Sequence, residues 1–261
     1  MSRQTRSSRL GLAVASGAVL LAALCVVAIA AARPTGHPTA VVNAAASHSC
    51  LVMTGSGDPA FTKNFNPFTA TGLPSGQFVR GAIYEGLMVS PEGGKPTLPW
   101  LARTWKWSNG NKTLTLQLAK GVKWSDGKAL TSTDVVYSLT AGKQNKVMDT
   151  VGFMRPDTNI ASVKAQGAYT VVISLKTPDS QFIASTLNNV FVIPRHIWSK
   201  VANPQTFTNP NPVGSGPFTR ITRFTSQDFV LSKNPNYWQA GKPLINCPST
   251  SRRPRTTPRS R

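Results

Sequence analysis

Two stretches of the chain alternate strictly between apolar and polar positions. Lys112-Thr-Leu-Thr-Leu-Gln-Leu118 puts Leu114, Leu116 and Leu118 on one face of a strand. Tyr169-Thr-Val-Val-Ile-Ser-Leu175 alternates in the same way. Trp105-Lys-Trp107-Ser reads as the partner of the first strand, joined to it through Asn109-Gly110. That dipeptide is a hairpin signal because both residues tolerate positive φ. The pattern then changes period. Gly121 to Leu139 runs from a strand end through the turn dipeptide Asp126-Gly127 into a helix. Thr131 is the expected N-cap, Asp134 meets the positive helix end, and Val135, Val136 and Leu139 form the apolar stripe. A second helix is expected over Gln77–Met88, with Phe78, Val79, Ala82, Ile83 and Leu87 facing inward.

Shorter signals complete the outline. Leu51 to Ser56 reads as a first strand and Asp58 to Gly76 as loop. Asp179 can cap a short helix carrying Phe182, Ile183 and Leu187. Val190-Phe-Val-Ile193 is a buried-looking run that ends at Pro194, and Arg195 to Val201 reads as a short helix. Phe218–Thr222 and Phe229–Ser232 read as strands, with a turn at Asn234-Pro235. Hairpins mixed with helices give α+β character within an α/β class.

The ends of the chain account for much of its charge. The 261 residues carry a formal net charge of +20 from 29 basic and 9 acidic residues. Arg3, Arg6, Arg9 and Arg33 precede the expected mature start, and Arg252, Arg253, Arg255, Arg259 and Arg261 lie in the last ten residues. Without these nine, 20 basic residues face 9 acidic ones, a net of +11. The remaining bases are scattered among strands and turns, a solvated surface and not a phosphate-binding stripe, so nucleic acid is not an expected partner.

Residues 1–32 read as a signal peptide, with a basic start, an apolar run from Leu10 to Ala32 and the small-residue site Ala30-Ala31-Ala32. The run is also long enough to span a bilayer, so a membrane anchor is the alternative. Leu24 before Cys25 does not suit lipidation, and Cys50 lacks an apolar run directly before it. The three cysteines make no disulfide framework. Residues 33–49 read as a linker. From Asn246 onward the chain is almost wholly Arg, Pro, Ser and Thr. A disordered basic tail over 246–261 is expected there, and the abrupt change in composition suggests a shifted reading frame.

Candidate chemistry is sparse. Most of the nine acids, Asp126, Asp134 and Asp179 among them, fall at turn or cap positions. His37, His48 and His196 have no metal-ligand spacing. No nucleophile elbow, Walker loop or Cys-x-x-Cys is present. No catalytic residue, metal or cofactor is expected. For Trp124 and Trp238 core packing is the expected role, with stacking on a ligand as the rival.

Five segments together carry a resemblance. Asn64-Phe-Asn-Pro-Phe68, Ile83-Tyr-Glu-Gly-Leu-Met88, the Gly121–Leu139 stretch, Asn211-Pro-Val-Gly-Ser-Gly-Pro-Phe218 and Asn234-Pro-Asn-Tyr-Trp238 occur in that order. They resemble the family 5 extracellular solute-binding proteins of ABC importers, the peptide-binding group, from about Leu51 to Ile245. The resemblance implies a periplasmic-binding-protein-like type II fold, truncated, with one lobe incomplete, since family members are about twice this length. It implies a partial first ligand-binding lobe from 50–88 and 206–245, with 89–205 as an inserted smaller lobe. It also implies capture of oligopeptides or similar solutes outside the membrane, with the importer's permease subunits as partners. Other solute classes, an oligosaccharide or a nickel chelate, stay open, as does a membrane-anchored basic interaction protein. The implied ligand contacts are Ser75, Gly76, Gln77 and Phe78, in a loop from Gly72 whose backbone groups would face an extended ligand. Gly214-Ser-Gly216 reads as a structural turn, or as the crossing between lobes.

Overall fold

The structure is a computed structural model, which describes residues 52–53, 62–69, 79–90, 96–226, 228–242 and 249–252. The chain divides into two units, 1–45 and 46–261, and every described residue belongs to the second.

Its largest sheet is built around the hairpin. Strands β4 (Ala102–Ser108) and β5 (Thr113–Leu118) pair antiparallel, with Leu116 opposite Trp105 and Leu114 opposite Trp107. The turn takes positive φ at Asn109, Gly110 and Asn111, as the dipeptide requires. Strand β7 (Thr170–Leu175) adds to β5, and β6 (Ile160–Ala165) adds to β7, giving the order β4-β5-β7-β6. The pattern does not announce β6, because only Ile160 and Val163 of its six residues are large and apolar. One sheet face carries Leu114, Leu116, Val171 and Ile173, all fully buried. Helix α1 (Ser132–Thr140) packs there through Val135 and Leu139, together with Trp124, Leu130 and Val192.

The start of α1 follows the expected chemistry. Gly127 at φ +89° turns the chain, and its N–H donates to the Trp124 carbonyl at 2.8 Å. Thr131 is the extended N-cap, and its backbone N–H donates to Asp134 Oδ2 at 3.0 Å. The other oxygen, Oδ1, accepts the N–H of Arg195 at 3.0 Å, at the start of helix α2 (Arg195–Trp198). One buried carboxylate therefore serves two helix starts. Ser138 reinforces the contact by accepting the Ile193 N–H at 2.9 Å. Asp134→Ala is expected to cost about 2 kcal/mol, as the loss of a cap and of a long-range charged hydrogen bond. Urea unfolding measures this, and a cost below about 0.5 kcal/mol would show that water replaces the carboxylate at both ends.

A second sheet has the order β1-β10-β9-β8, from β8 (Phe218–Phe224), β9 (Asp228–Lys233), β10 (Ser249–Arg252) and β1 (Val52–Met53). β1 runs parallel to β10, and the other pairs are antiparallel. The expected tail without packed structure therefore fails at Ser249–Arg252. A strand edge pairs through backbone N–H and C=O groups, which Ser, Thr and Arg possess as fully as apolar residues do. The rest of 246–261 lies outside the described residues, as do 1–50. A separate cluster forms beside this sheet from Phe65, Val79, Ile83, Tyr84, Trp198, Phe229 and Leu231.

The expected helix over Gln77–Met88 is a correction. Gln77 and Phe78 lie outside the described residues, and 79–90 is not helical. Gly81 sits at φ +83°, and its N–H donates to the Tyr84 carbonyl at 2.7 Å, closing a tight loop. Gly86 then bridges to Phe191, and β2 (Met88–Val89) pairs with β3 (Leu98–Pro99). The carbonyls that a helix would use internally are taken by other segments. Ala82 O accepts from Phe218 N, Ile83 O from Gly216 N and Glu85 O from Val192 N, each at 2.9 Å. Of the expected apolar positions, Val79, Ile83 and Leu87 are nevertheless fully enclosed and Ala82 is half-buried, while Phe78 lies outside the described residues.

Candidate functional site

Four of the sequence motifs meet at one junction. Ser125 of the signature turn donates its backbone N–H to Gly214 O at 2.9 Å, and its Oγ accepts from Gly214 N at 3.3 Å. Asn236 Nδ2 reaches Ser125 O at 3.1 Å, and Asn234 Nδ2 reaches Gly216 O at 3.0 Å. Gly214 and Gly216 lie directly on the backbone of Ile83 and Ala82, where a Cβ would overlap a carbonyl oxygen. Both glycines are therefore needed for close approach. The outer side of the junction opens as a shallow cavity of about 290 Å³, lined in part by Ser125, Asn211, Arg220 and Pro235.

Glu85 is the polar centre of this junction. It is 2% exposed, yet no base pairs with it within salt-bridge distance among the described residues. Three aromatic donors surround it instead. Trp100 Nε1 and Tyr237 Oη donate to Oε1 at 2.8 and 3.0 Å, and Trp238 Nε1 donates to Oε2 at 2.9 Å. Burial raises the Glu85 pKa, the three donors oppose it, and burial prevails. The same burial, with the Glu85 charge beside it, drives the Tyr237 hydroxyl up as well. Trp238 packs against the core as expected, edge-to-face with Trp100 at 5.9 Å between centroids. Its N–H has a polar task that the packing expectation did not include. The sequence signal for it was present: a Glu in one motif, and two aromatic residues with N–H or O–H groups in another.

The expected ligand contacts Ser75, Gly76, Gln77 and Phe78 lie outside the described residues, but both chain ends that lead into their loop are described. Before it, Asn66 Nδ2 donates to Pro204 O at 2.7 Å and to Phe207 O at 2.6 Å, while Asn66 Oδ1 accepts from Phe68 N. After it, Val79 is buried and Arg80 lays its guanidinium 4.7 Å above the Phe191 ring. Asn209 joins the two sides, its Nδ2 donating to Phe65 O at 3.0 Å and to Tyr84 Oη at 2.8 Å. Asn209 takes a left-handed φ of 48°, which asparagine tolerates better than most residues.

His196 does not stand alone: its Nε2 lies 2.7 Å from Asp126 Oδ2, tying α2 to the Asp126-Gly127 turn. Among the described residues, no three His, Cys, Asp or Glu side chains gather as metal ligands. No helix among them is long and apolar enough to cross a membrane.

Residues 97–247 match the family model described as bacterial extracellular solute-binding proteins, family 5, middle. A putative ABC transporter peptide-binding protein of Brucella ovis is 30% identical over 195 residues, covering 73% of this chain and 35% of the relative. The periplasmic murein peptide-binding protein MppA of Escherichia coli is 30% identical over 200 residues, covering 70% and 36%. The chain thus spans about a third of the length of these curated relatives. A crystal structure of a periplasmic oligopeptide-binding protein of Thermotoga maritima superposes with a TM-score of 0.67 at 26% identity, covering 79% of this chain and 38% of that one. The same Thermotoga protein has also been solved with mannohexaose bound.

Proposed function

The chain belongs to the family 5 bacterial extracellular solute-binding proteins, and from that membership we propose that it serves as the substrate-binding component of an ABC importer for oligopeptides. The observation that carries the reading is the Asn209 clasp. It holds together Phe65 and Tyr84, which lie on the two described segments flanking Ser75, Gly76, Gln77 and Phe78 in the sequence. A glycine-bearing loop between such segments can offer main-chain groups to an extended peptide without regard to its side chains. Residues 50–88 and 206–245 form the first ligand-binding lobe in this reading, and 89–205 the inserted one. Two hydrophobic clusters form, one centred on the β4-β5-β7-β6 sheet and the other on Phe65, Tyr84 and Phe229, and the second also draws in Phe191, Ile193 and Trp198 from the inserted segment. Permease subunits are the partners. Residues 1–32 direct export, as a cleaved signal or as a retained anchor.

Uptake of a radiolabelled tri- to pentapeptide pool tests the reading in cells whose only peptide importer is the one encoded with this chain. Deleting the gene is expected to abolish uptake, and unchanged uptake overturns the proposal. An oligosaccharide is the second reading, favoured by the mannohexaose complex of the structural relative. Labelled oligosaccharide in the same cells separates the two.

A further inference from the structure

A cavity of about 420 Å³ is lined by none of the motif segments. Its lining includes Lys146, Thr150, Arg155, Ser185, Thr186 and Asn189. The surrounding turns fix where the cations stand. Asn145 accepts the Val147 N–H at 3.0 Å, which sets the short turn Lys146–Met148. Gly152 at φ +68° lets the Arg155 stem cross directly over it, since a Cβ at Gly152 would lie 2.6 Å from Arg155 Cδ.

The one acid in the lining is already engaged. Asp149 Oδ1 accepts Phe153 N–H at 2.7 Å and Oδ2 accepts Met154 N–H at 3.0 Å. Among the described residues, neither Lys146 nor Arg155 has a carboxylate within 4 Å. The Thr150 hydroxyl is buried without a hydrogen-bond partner, so turning it toward the cavity breaks no internal bond. Ser185 and Thr186 share one hydrogen bond at 3.3 Å, which leaves one of their two O–H groups to donate, and Asn189 gives one amide N–H to Ser185 O at 3.2 Å and keeps the other. Two cations with these remaining donors and the Thr150 hydroxyl match the needs of an oxyanion, which takes charge-assisted hydrogen bonds on several oxygens.

We propose that this cavity binds a small oxyanion, a phosphate or carboxylate group. Lys146 and Arg155 supply the charge, and Ser185, Thr186 and Asn189 complete the lining. The site does not rest on the transport reading.

The test is calorimetry on the 261-residue chain with inorganic phosphate and, separately, succinate, at constant ionic strength, with amide shifts followed at Gly152, Thr186 and Asn189. Saturable binding of one or both anions is expected, and the anion that saturates identifies the source. Lys146→Ala and Arg155→Ala are each expected to weaken it about tenfold, as charged hydrogen bonds do. Both side chains are exposed, so the variants keep the circular dichroism of the parent. Saturation by neither anion overturns the proposal. So does binding that survives in the Lys146→Ala/Arg155→Ala double variant.

Discussion

Glu85→Ala is expected to destabilise the protein by about 2–4 kcal/mol. The substitution strands the N–H of Trp100, the O–H of Tyr237 and the N–H of Trp238 in a half-buried cage. Each orphaned donor costs about 1–3 kcal/mol, and relief of the carboxylate's own desolvation offsets part of the sum. Glu85→Gln keeps an acceptor for Trp100 and Tyr237 but turns an amide N–H toward Trp238, so a smaller loss of about 1–2 kcal/mol is expected. Urea unfolding gives the energies, and tryptophan emission reports the cage directly by shifting to the red as water enters. A Glu85→Ala cost below about 1 kcal/mol would mean that the donors are already solvated.

The pH dependence has a definite sign. The Glu85 pKa is raised in the folded state, so its contribution is fully present below the ordinary carboxylate range and is lost as pH rises through the raised value. The stability advantage of the parent over Glu85→Gln, which cannot titrate at this position, is therefore expected to shrink as pH rises from about 4 toward neutrality. An advantage that grows over the same interval would show that the aromatic donors outweigh burial.

Gly214→Ala is expected to cost about 3 kcal/mol or to prevent folding. A Cβ there overlaps the Ile83 carbonyl, and the obstacle is backbone on both sides. Overpacking of this kind usually costs 1–3 kcal/mol, but a flexible side chain can normally yield. Here relief requires parting the bonds Ser125 N to Gly214 O and Gly216 N to Ile83 O, both 2.9 Å. Gly110→Ala is the control. Gly110 has φ +57° and open space around it, so its cost is backbone strain alone, about 1 kcal/mol. Thermal unfolding of the two variants side by side checks the ranking, and equal losses would show that the junction yields as readily as an exposed turn.

Where neighbours in sequence decide the structure, the sequence by itself determined the outcome. The β4–β5 hairpin follows from Asn109-Gly110 and the alternating leucines, and α1 follows from Thr131 and Asp134, because those contacts span only a few residues. Membership of the solute-binding family was legible because its motifs keep fixed residue types in a fixed order, some set locally by turns and caps, others, such as Gly214 and Gly216, by the distant backbone of Ile83 and Ala82. The tertiary structure decided whatever depends on distant partners. Residues 79–88 carry a helical apolar pattern, yet the carbonyls of Ala82, Ile83 and Glu85 bond to Phe218, Gly216 and Val192, which periodicity does not register. Ser249–Arg252 lacks apolar residues, yet the edge of β9 recruits it through backbone groups alone. Glu85 looks like a helix-end acid in the sequence and becomes a buried acceptor because Trp100, Tyr237 and Trp238 arrive from 15 to 153 residues away. A polar group buried from water must find its partners wherever the fold brings them, and that requirement has no short-range signature.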